Sequence, residues 1–299
     1  MKKLILLVFI ILANNAFSQT DFSNQDTIPS PWKKSIETGA NINQSSFSPN
    51  WKGGGVNSIA MGLLLDGRIL YESSKISFDN VLQLQYGMVK NDNAIYRKTT
   101  DKIFFDSKLG YRVTDKWNAF VSVNFLSQFA QGFKVVKDSL DRESQQLISR
   151  FMAPGYLTSS LGMEYKPVDY FWLRFGVGSF RNTFVTDTTL YKAVPQNYGV
   201  PIGKKVRNEL AFALTANFDK DIAKNLHLYT RYVMFANYEN LKAIDSRLDL
   251  TLSAKVNRYI NVNLTATALY DQDQDYEIQY TQMLSLGLLY RFSEFDAKK

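Results

Sequence analysis

Residues 76–88 read ISFDNVLQLQYGM, and their spacing decides the fold. Ile76, Phe78, Leu82, Leu84, Tyr86 and Met88 share one parity, while Ser77, Asp79, Gln83, Gln85 and Gly87 share the other. In an extended chain alternate side chains point to opposite faces, so one face here is apolar and the other polar. The period returns at 246–256, where Leu248, Leu250, Leu252, Ala254 and Val256 oppose Arg247, Asp249, Thr251, Ser253 and Lys255. It returns again at 260–268 and in the last segment, where Ile278, Tyr280, Leu284, Leu286, Leu288, Tyr290 and Phe292 oppose Gln279, Thr281, Ser285, Gly287 and Arg291. A soluble sandwich also alternates. Alternation alone leaves both architectures open.

The connections separate them. Short polar turns at 72–75, 114–116, 166–169, 219–225 and 256–258 alternate with mostly longer ones at 48–56, 91–100, 132–154, 181–204, 239–243 and 271–276. Tight turns on one side and longer loops on the other are the pattern of an outer-membrane meander. Strands are expected near 33–47, 57–71, 76–90, 101–113, 117–131, 155–165, 170–181, 205–218, 226–238, 244–256, 259–270 and 277–292. The fold expected is an all-β, closed, antiparallel up-and-down transmembrane barrel of about twelve strands. An even count returns both ends of the sheet to one side of the membrane, and closure leaves no unpaired edge in lipid.

The first residues state the destination. Lys2 and Lys3 precede an apolar run from Leu4 to Ala13, too short to span a bilayer as a helix, and Ala16 and Ser18 supply small residues before Gln19. Residues 1–18 read as a cleaved signal peptide, 19–31 as a flexible periplasmic lead, 32–292 as the barrel and 293–299 as a periplasmic tail. The chain has no cysteine, which excludes a lipid on cysteine and any disulfide. The formal charge of +7 falls by two, to +5, when Lys2 and Lys3 leave with the signal. Basic residues are interleaved with acids rather than clustered, so no nucleic-acid footprint forms.

Aromatic residues fall where the two membrane interfaces belong: Trp32, Trp117, Tyr170, Tyr259, Tyr290 and Phe292 at the periplasmic ends, and Phe47, Trp51, Phe129, Phe184 and Tyr270 at the outer ends. The final Leu289-Tyr290-Arg291-Phe292 resembles the terminal aromatic signal by which the barrel assembly machinery recognises its clients. The expected surroundings are outer-membrane lipid and lipopolysaccharide.

Further motifs carry a family resemblance. Asn50-Trp51, Gly53-Gly54-Gly55 and Asn57-Ser58 come first. Asp101-Lys102-Ile103, Ser107-Lys108, Gln128-Phe129, Phe151-Met152-Ala153-Pro154, Gly162-Met163-Glu164-Tyr165-Lys166-Pro167 and Gly203-Lys204-Lys205-Val206-Arg207 follow. Together these resemble a Bacteroidota barrel family, domain of unknown function 3078, over Trp32 to Phe292. The resemblance implies a fold and a location; none of its motifs is catalytic.

Chemistry-bearing residues are few. His227 is the single histidine, it has no accompanying nucleophile motif, and it reads as an interfacial anchor rather than a general base. No enzyme and no cofactor is expected. Asp271, Asp273, Asp275 and Glu277 place four carboxylates in one outer loop, a weak calcium candidate lacking EF-hand order. Gly53 to Gly55 lack the lysine and strand-to-helix setting of a phosphate loop and read as a turn or infolded loop, with Trp51 beside them as an interfacial anchor or mouth plug.

The polar face is the informative one. Asp79, Asp106, Lys108, Arg112, Arg174, Arg207, Glu209, Arg231, Arg247, Asp249, Lys255 and Arg291 are expected in the lumen. Two functions follow from one list. An open lumen with bases in excess makes a narrow small-solute channel with mild anion preference; charges paired off make a plugged, non-transporting barrel, structural or accessory to an outer-membrane assembly, secretion or uptake complex.

Overall fold

The computed structural model describes residues 30–46, 48, 57–91, 96–137, 143–241, 243–257 and 260–295. The expected signal peptide, most of the lead, Phe47, Trp51, Gly53, Gly54, Gly55, Tyr259 and the last tail residues lie outside these. Among the described residues fourteen strands follow one another: β1 (Trp32–Ser45), β2 (Ser58–Glu72), β3 (Ile76–Asn91), β4 (Arg97–Arg112), β5 (Trp117–Ser127), β6 (Gly132–Lys137), β7 (Glu143–Ser149), β8 (Gly155–Val168), β9 (Phe171–Phe184), β10 (Val206–Ala223), β11 (Leu226–Asn237), β12 (Ile244–Lys255), β13 (Ile260–Asp271) and β14 (Asp275–Ser293).

Twelve of them close a barrel in the order β1-β14-β13-β12-β11-β10-β9-β8-β5-β4-β3-β2, while β6 and β7 form a separate two-stranded hairpin. Every barrel pairing is antiparallel. The barrel is inside out by the standard of a water-soluble domain. Leu161, Val177 and Leu210 on its outer wall are 56%, 56% and 53% exposed, whereas the inward Asp106, Glu164 and Arg174 are 4%, 2% and 6% exposed. Water would oppose that arrangement, and hydrocarbon around the wall favours it. The fold is a transmembrane β-barrel.

Strand ends depart from the sequence reading by four or more residues in three places, each for a local reason. β4 begins at Arg97, four residues early, because a register shift at Gly87/Met88 lets Arg97 and Lys98 pair with β3. β10 runs on to Ala223, since Asp219, Lys220 and Asp221 pair with β11 instead of forming a loop, and Asn225 at φ 62° makes the remaining turn tight. β5 stops at Ser127, where the Asp101 carboxylate accepts hydrogen bonds from the backbone N–H groups of Phe129 (2.7 Å) and Ala130 (2.9 Å) and turns the chain towards the β6–β7 hairpin.

The conventional apolar core lies outside the barrel. Ala153, Val185, Leu190, Tyr198 and Val200 are buried together, with Leu147 of β7 and Val194 against them. This cluster gives the β9–β10 loop a fixed shape on the outer side. Tyr198 donates its hydroxyl to the Ile148 carbonyl at 2.6 Å, and burial pushes its phenol up to about 12, so it remains a donor.

Gly162 marks a close backbone approach at the β8–β9 register shift, where a Cβ would sit 1.9 Å from the Phe175 carbonyl oxygen. A carbonyl cannot swing aside as a side chain can. Gly162→Ala is therefore expected to destabilise the barrel by about 3 kcal/mol, whereas Gly67→Ala, with nothing within 4 Å, is tolerated. Heat-modifiable gel mobility of the refolded variants checks this; equal folding yields would contradict the reading.

Candidate functional site in the barrel lumen

Inward parity on twelve strands brings charges from distant sequence positions into one interior. The barrel encloses a cavity of about 2400 Å³ whose lining runs from Lys75, Asp115 and Asn225 at the periplasmic turns to Asn43 and Thr99 near the outer ends. Of the residues expected in the lumen, Asp79, Asp106, Lys108, Arg112, Arg174, Arg231, Arg247, Asp249 and Lys255 line it. Arg207 and Glu209 do not. They sit in a separate network at the outer mouth. The Arg291 side chain lies outside the described residues.

The periplasmic half holds the most buried network. Lys108 Nζ donates to both Glu164 oxygens at 2.7 Å, Arg174 Nε donates to Glu164 at 2.8 Å, and Arg174 Nη1 donates to Asp106 at 2.9 Å. Arg231 approaches the same Asp106 oxygen at 3.8 Å. Three bases thus surround two acids. Arg174 also stacks on Trp172, 4.0 Å from its centroid, and Arg231 on Phe104 at 4.9 Å. Beside them Arg68 grips Asp79 with two bonds of 2.9 and 2.8 Å, and Phe295 of the tail covers the Arg68 guanidinium at 4.9 Å.

Higher in the lumen the pairing thins. Arg247 binds Asp249 through bonds of 2.8 and 2.7 Å, and Thr267 donates to Asp249 at 2.8 Å. Lys102 donates to the neutral Gln83 at 2.8 Å and makes no direct ion pair among the described residues, while one oxygen of Asp66 is buried without a hydrogen bond. At the outer mouth Arg181 bridges Glu209 (3.2 Å) and Asp245 (2.5 Å), Arg207 bridges Glu209 (3.1 Å) and Asp273, and Asn237 donates to Glu209 at 2.9 Å.

The acidic outer loop is thereby spoken for. Asp273 pairs with Arg207, Asp271 accepts from the Asp273 N–H and from Gln274, and Asp275 caps the Glu277 N–H. No three His, Asp or Glu groups converge as a metal site among the described residues. Gln274 reaches across the mouth to the Tyr156 hydroxyl at 3.1 Å, so this turn folds inward. Gly199 (φ 75°) lies against the Arg207–Asp273 pair so closely that a Cβ there would meet Arg207 at 1.9 Å. His227 is held between Asp219 (2.9 Å) and Asp221 (2.8 Å) at the periplasmic rim, an ionic strap across β10–β11.

Sequence reading missed Arg68, Lys102, Glu164, Arg181 and Asp245. Arg68, Lys102, Glu164 and Asp245 sit at inward parity on their strands, so a stricter parity count would have found them; Arg181 is different, because β9 carries an extra residue at the register shifts opposite Leu161/Met163 and Ala211/Ala213, which reverses the parity between Arg174 and Arg181. Removing one member of a buried network strands the others. Arg174→Met is expected to cost about 3–5 kcal/mol by leaving Asp106 and Glu164 under-neutralised, and Arg174→Met combined with Glu164→Met to recover much of that loss. Denaturant unfolding of the refolded barrel followed by tryptophan fluorescence measures both, and equal stability of the single variant and the parent would contradict the network.

Residues 42–133 match the family model described as "Protein of unknown function (DUF3078)", and residues 161–292 match that described as "Protein of unknown function, DUF481". No curated protein matches the chain. The translocator domain of autotransporter NalP from Neisseria meningitidis aligns at 10% identity over 96% of this chain and 95% of its own, with a TM-score of 0.36. An outer membrane channel from Pseudomonas putida F1 aligns at 9% identity over 92% and 100%, with a TM-score of 0.38. The beta domain of the Bordetella autotransporter BrkA aligns at 8% identity over 88% and 98%, with a TM-score of 0.30. One closed β-barrel therefore carries the DUF3078 family pattern in residues 42–133 and the DUF481 pattern in residues 161–292.

Proposed function

We propose that this barrel resides in an outer membrane, delivered by a cleaved signal peptide over residues 1–18 and inserted by the barrel assembly machinery, and that it is a narrow channel for small polar solutes. The observation that carries the reading is the lumenal cavity of about 2400 Å³, whose lining extends from the periplasmic turns to the outer strand ends. A filled scaffold has no need of so much polar space. The selectivity follows from the wall. Most lumenal bases are neutralised by acids, which removes any strong field, but in the most buried network three bases, Lys108, Arg174 and Arg231, converge on two acids, Asp106 and Glu164. That local excess of one base, at the network's own level of the lumen, supports a mild preference for anions.

One observation favours the second reading, a non-transporting accessory barrel. The outer mouth is bridged by Arg207–Asp273 and Gln274–Tyr156 and overlaid by a loop with its own apolar core. Planar-bilayer recording separates the two. The channel reading expects steady conductance, reversal potentials under a salt gradient on the anion side, and a shift to non-selective or cation-preferring behaviour in Arg231→Gln. A folded barrel that stays silent across the voltage range would overturn the channel and leave the accessory role.

A further inference from the structure

The barrel wall is closed unequally. β1 and β14 share seven register pairs, from Ser35↔Ser293 to Asn41↔Gly287, whereas every other barrel seam has ten or more. Both strands continue past the last pair. Carrying the register on would set Ile42, Asn43, Gln44 and Ser45 opposite Leu286, Ser285, Leu284 and Met283, and none of those pairs forms. Residues 42–45 bond to β2 on their other side, and residues 283–286 bond to β13. The seam is zipped in its periplasmic half and parted over at least the four rungs above that β1 still provides, about 10 Å at ordinary strand rise and tilt.

Height along the wall says what the gap faces. Trp32 stands at the periplasmic girdle, and a tilted strand crosses the apolar band of about 25 Å in roughly ten residues, which brings β1 to the outer boundary near Ile42. Free N–H and C=O groups in mid-hydrocarbon would cost several kcal/mol each, but at the headgroup level polar groups can meet them. The cavity passes through this opening. Its lining includes the inward Asn41, Asn43, Thr281 and Ser285 and also the outward Leu63 and Leu284 of the flanking wall. Leu63, Leu284 and Ile42 are 64%, 70% and 67% exposed.

We infer that the parted β1–β14 seam is a lateral portal between the lumen and the outer leaflet for a slender amphiphile, an uncharged hydrogen-bonding head joined to one apolar chain. The head fits the amides and hydroxyls on the inner lip, Asn41, Asn43 and Thr281, which carry no charge; the chain fits the apolar outer lip of Ile42, Leu63 and Leu284. The inference rests on the solute-channel reading in part, because it names what such a lumen exchanges with the membrane, and the test keeps the two apart.

The chain has no cysteine, so a staple across the seam is clean. Asn43→Cys combined with Ser285→Cys, reconstituted in nanodiscs, is assayed for saturable retention of tritiated monododecanoylglycerol before and after oxidation, with ion conductance recorded on the same protein. The portal predicts retention that falls at least tenfold on oxidation and returns on reduction, with conductance within twofold throughout. Ile42→Asp combined with Leu284→Asp, which charges the outer lip, is expected to lose retention to the same degree whether or not a staple forms. Retention no greater than that of empty discs, or indifferent to both the staple and the lip charges, overturns the portal while steady conductance leaves the channel standing. A silent barrel with staple-dependent retention does the reverse.

Discussion

Every feature of this molecule answers to one constraint: a backbone in hydrocarbon has no water to bond with, so each N–H and C=O must find its partner inside the protein. Twelve strands closed on themselves meet it through eleven well-paired seams and one shorter one. Closure then dictates which way side chains face. Leucine, valine and phenylalanine go outward into lipid, and aspartate, glutamate, lysine and arginine go inward, which reverses the usual sense of burial.

The interior must in turn manage those charges. It does so by pairing them across strands that are far apart in sequence: Lys108 of β4 with Glu164 of β8, and Arg174 of β9 with Asp106 of β4. Such a network ties β4 to β8 and β9 across the strands between them and fixes the curvature of that part of the wall, because moving either strand would leave a charge unpaired in a poorly solvated space. It supports the wall without filling it. The outer mouth uses the same device with different partners, Arg181 and Arg207 against Glu209, Asp245 and Asp273, so the lumen is braced at both ends.

The architecture was legible because period two and the alternation of turn lengths are local signals. Residues 76–88 alone give the inward and outward sets, and β3 carries them without error. Strand ends were less legible. The polar run Asp219-Lys220-Asp221 looks like a loop, yet its charges sit at a membrane edge where water reaches them and β11 supplies the ladder. The β6–β7 hairpin and the apolar cluster around Tyr198 were not read at all, since short segments outside the barrel have neither the length nor the period to declare themselves. Arg207 and Glu209 show the limit for the site: parity gave their direction, but whether an inward side chain meets the cavity or an overlying loop depends on how that loop folds.

The most direct test of a wet lumen inside an apolar wall is a cysteine scan through residues 77–85 of the naturally cysteine-free chain, using a small membrane-impermeant thiol reagent on the reconstituted barrel. The account predicts a two-residue rhythm in which Ser77, Asp79, Gln83 and Gln85 label readily and Phe78, Leu82 and Leu84 resist. Uniform protection would mean a dry, filled interior, and labelling on the even positions instead would mean that the wall is turned the other way; either result would contradict the structure of the lumen described above.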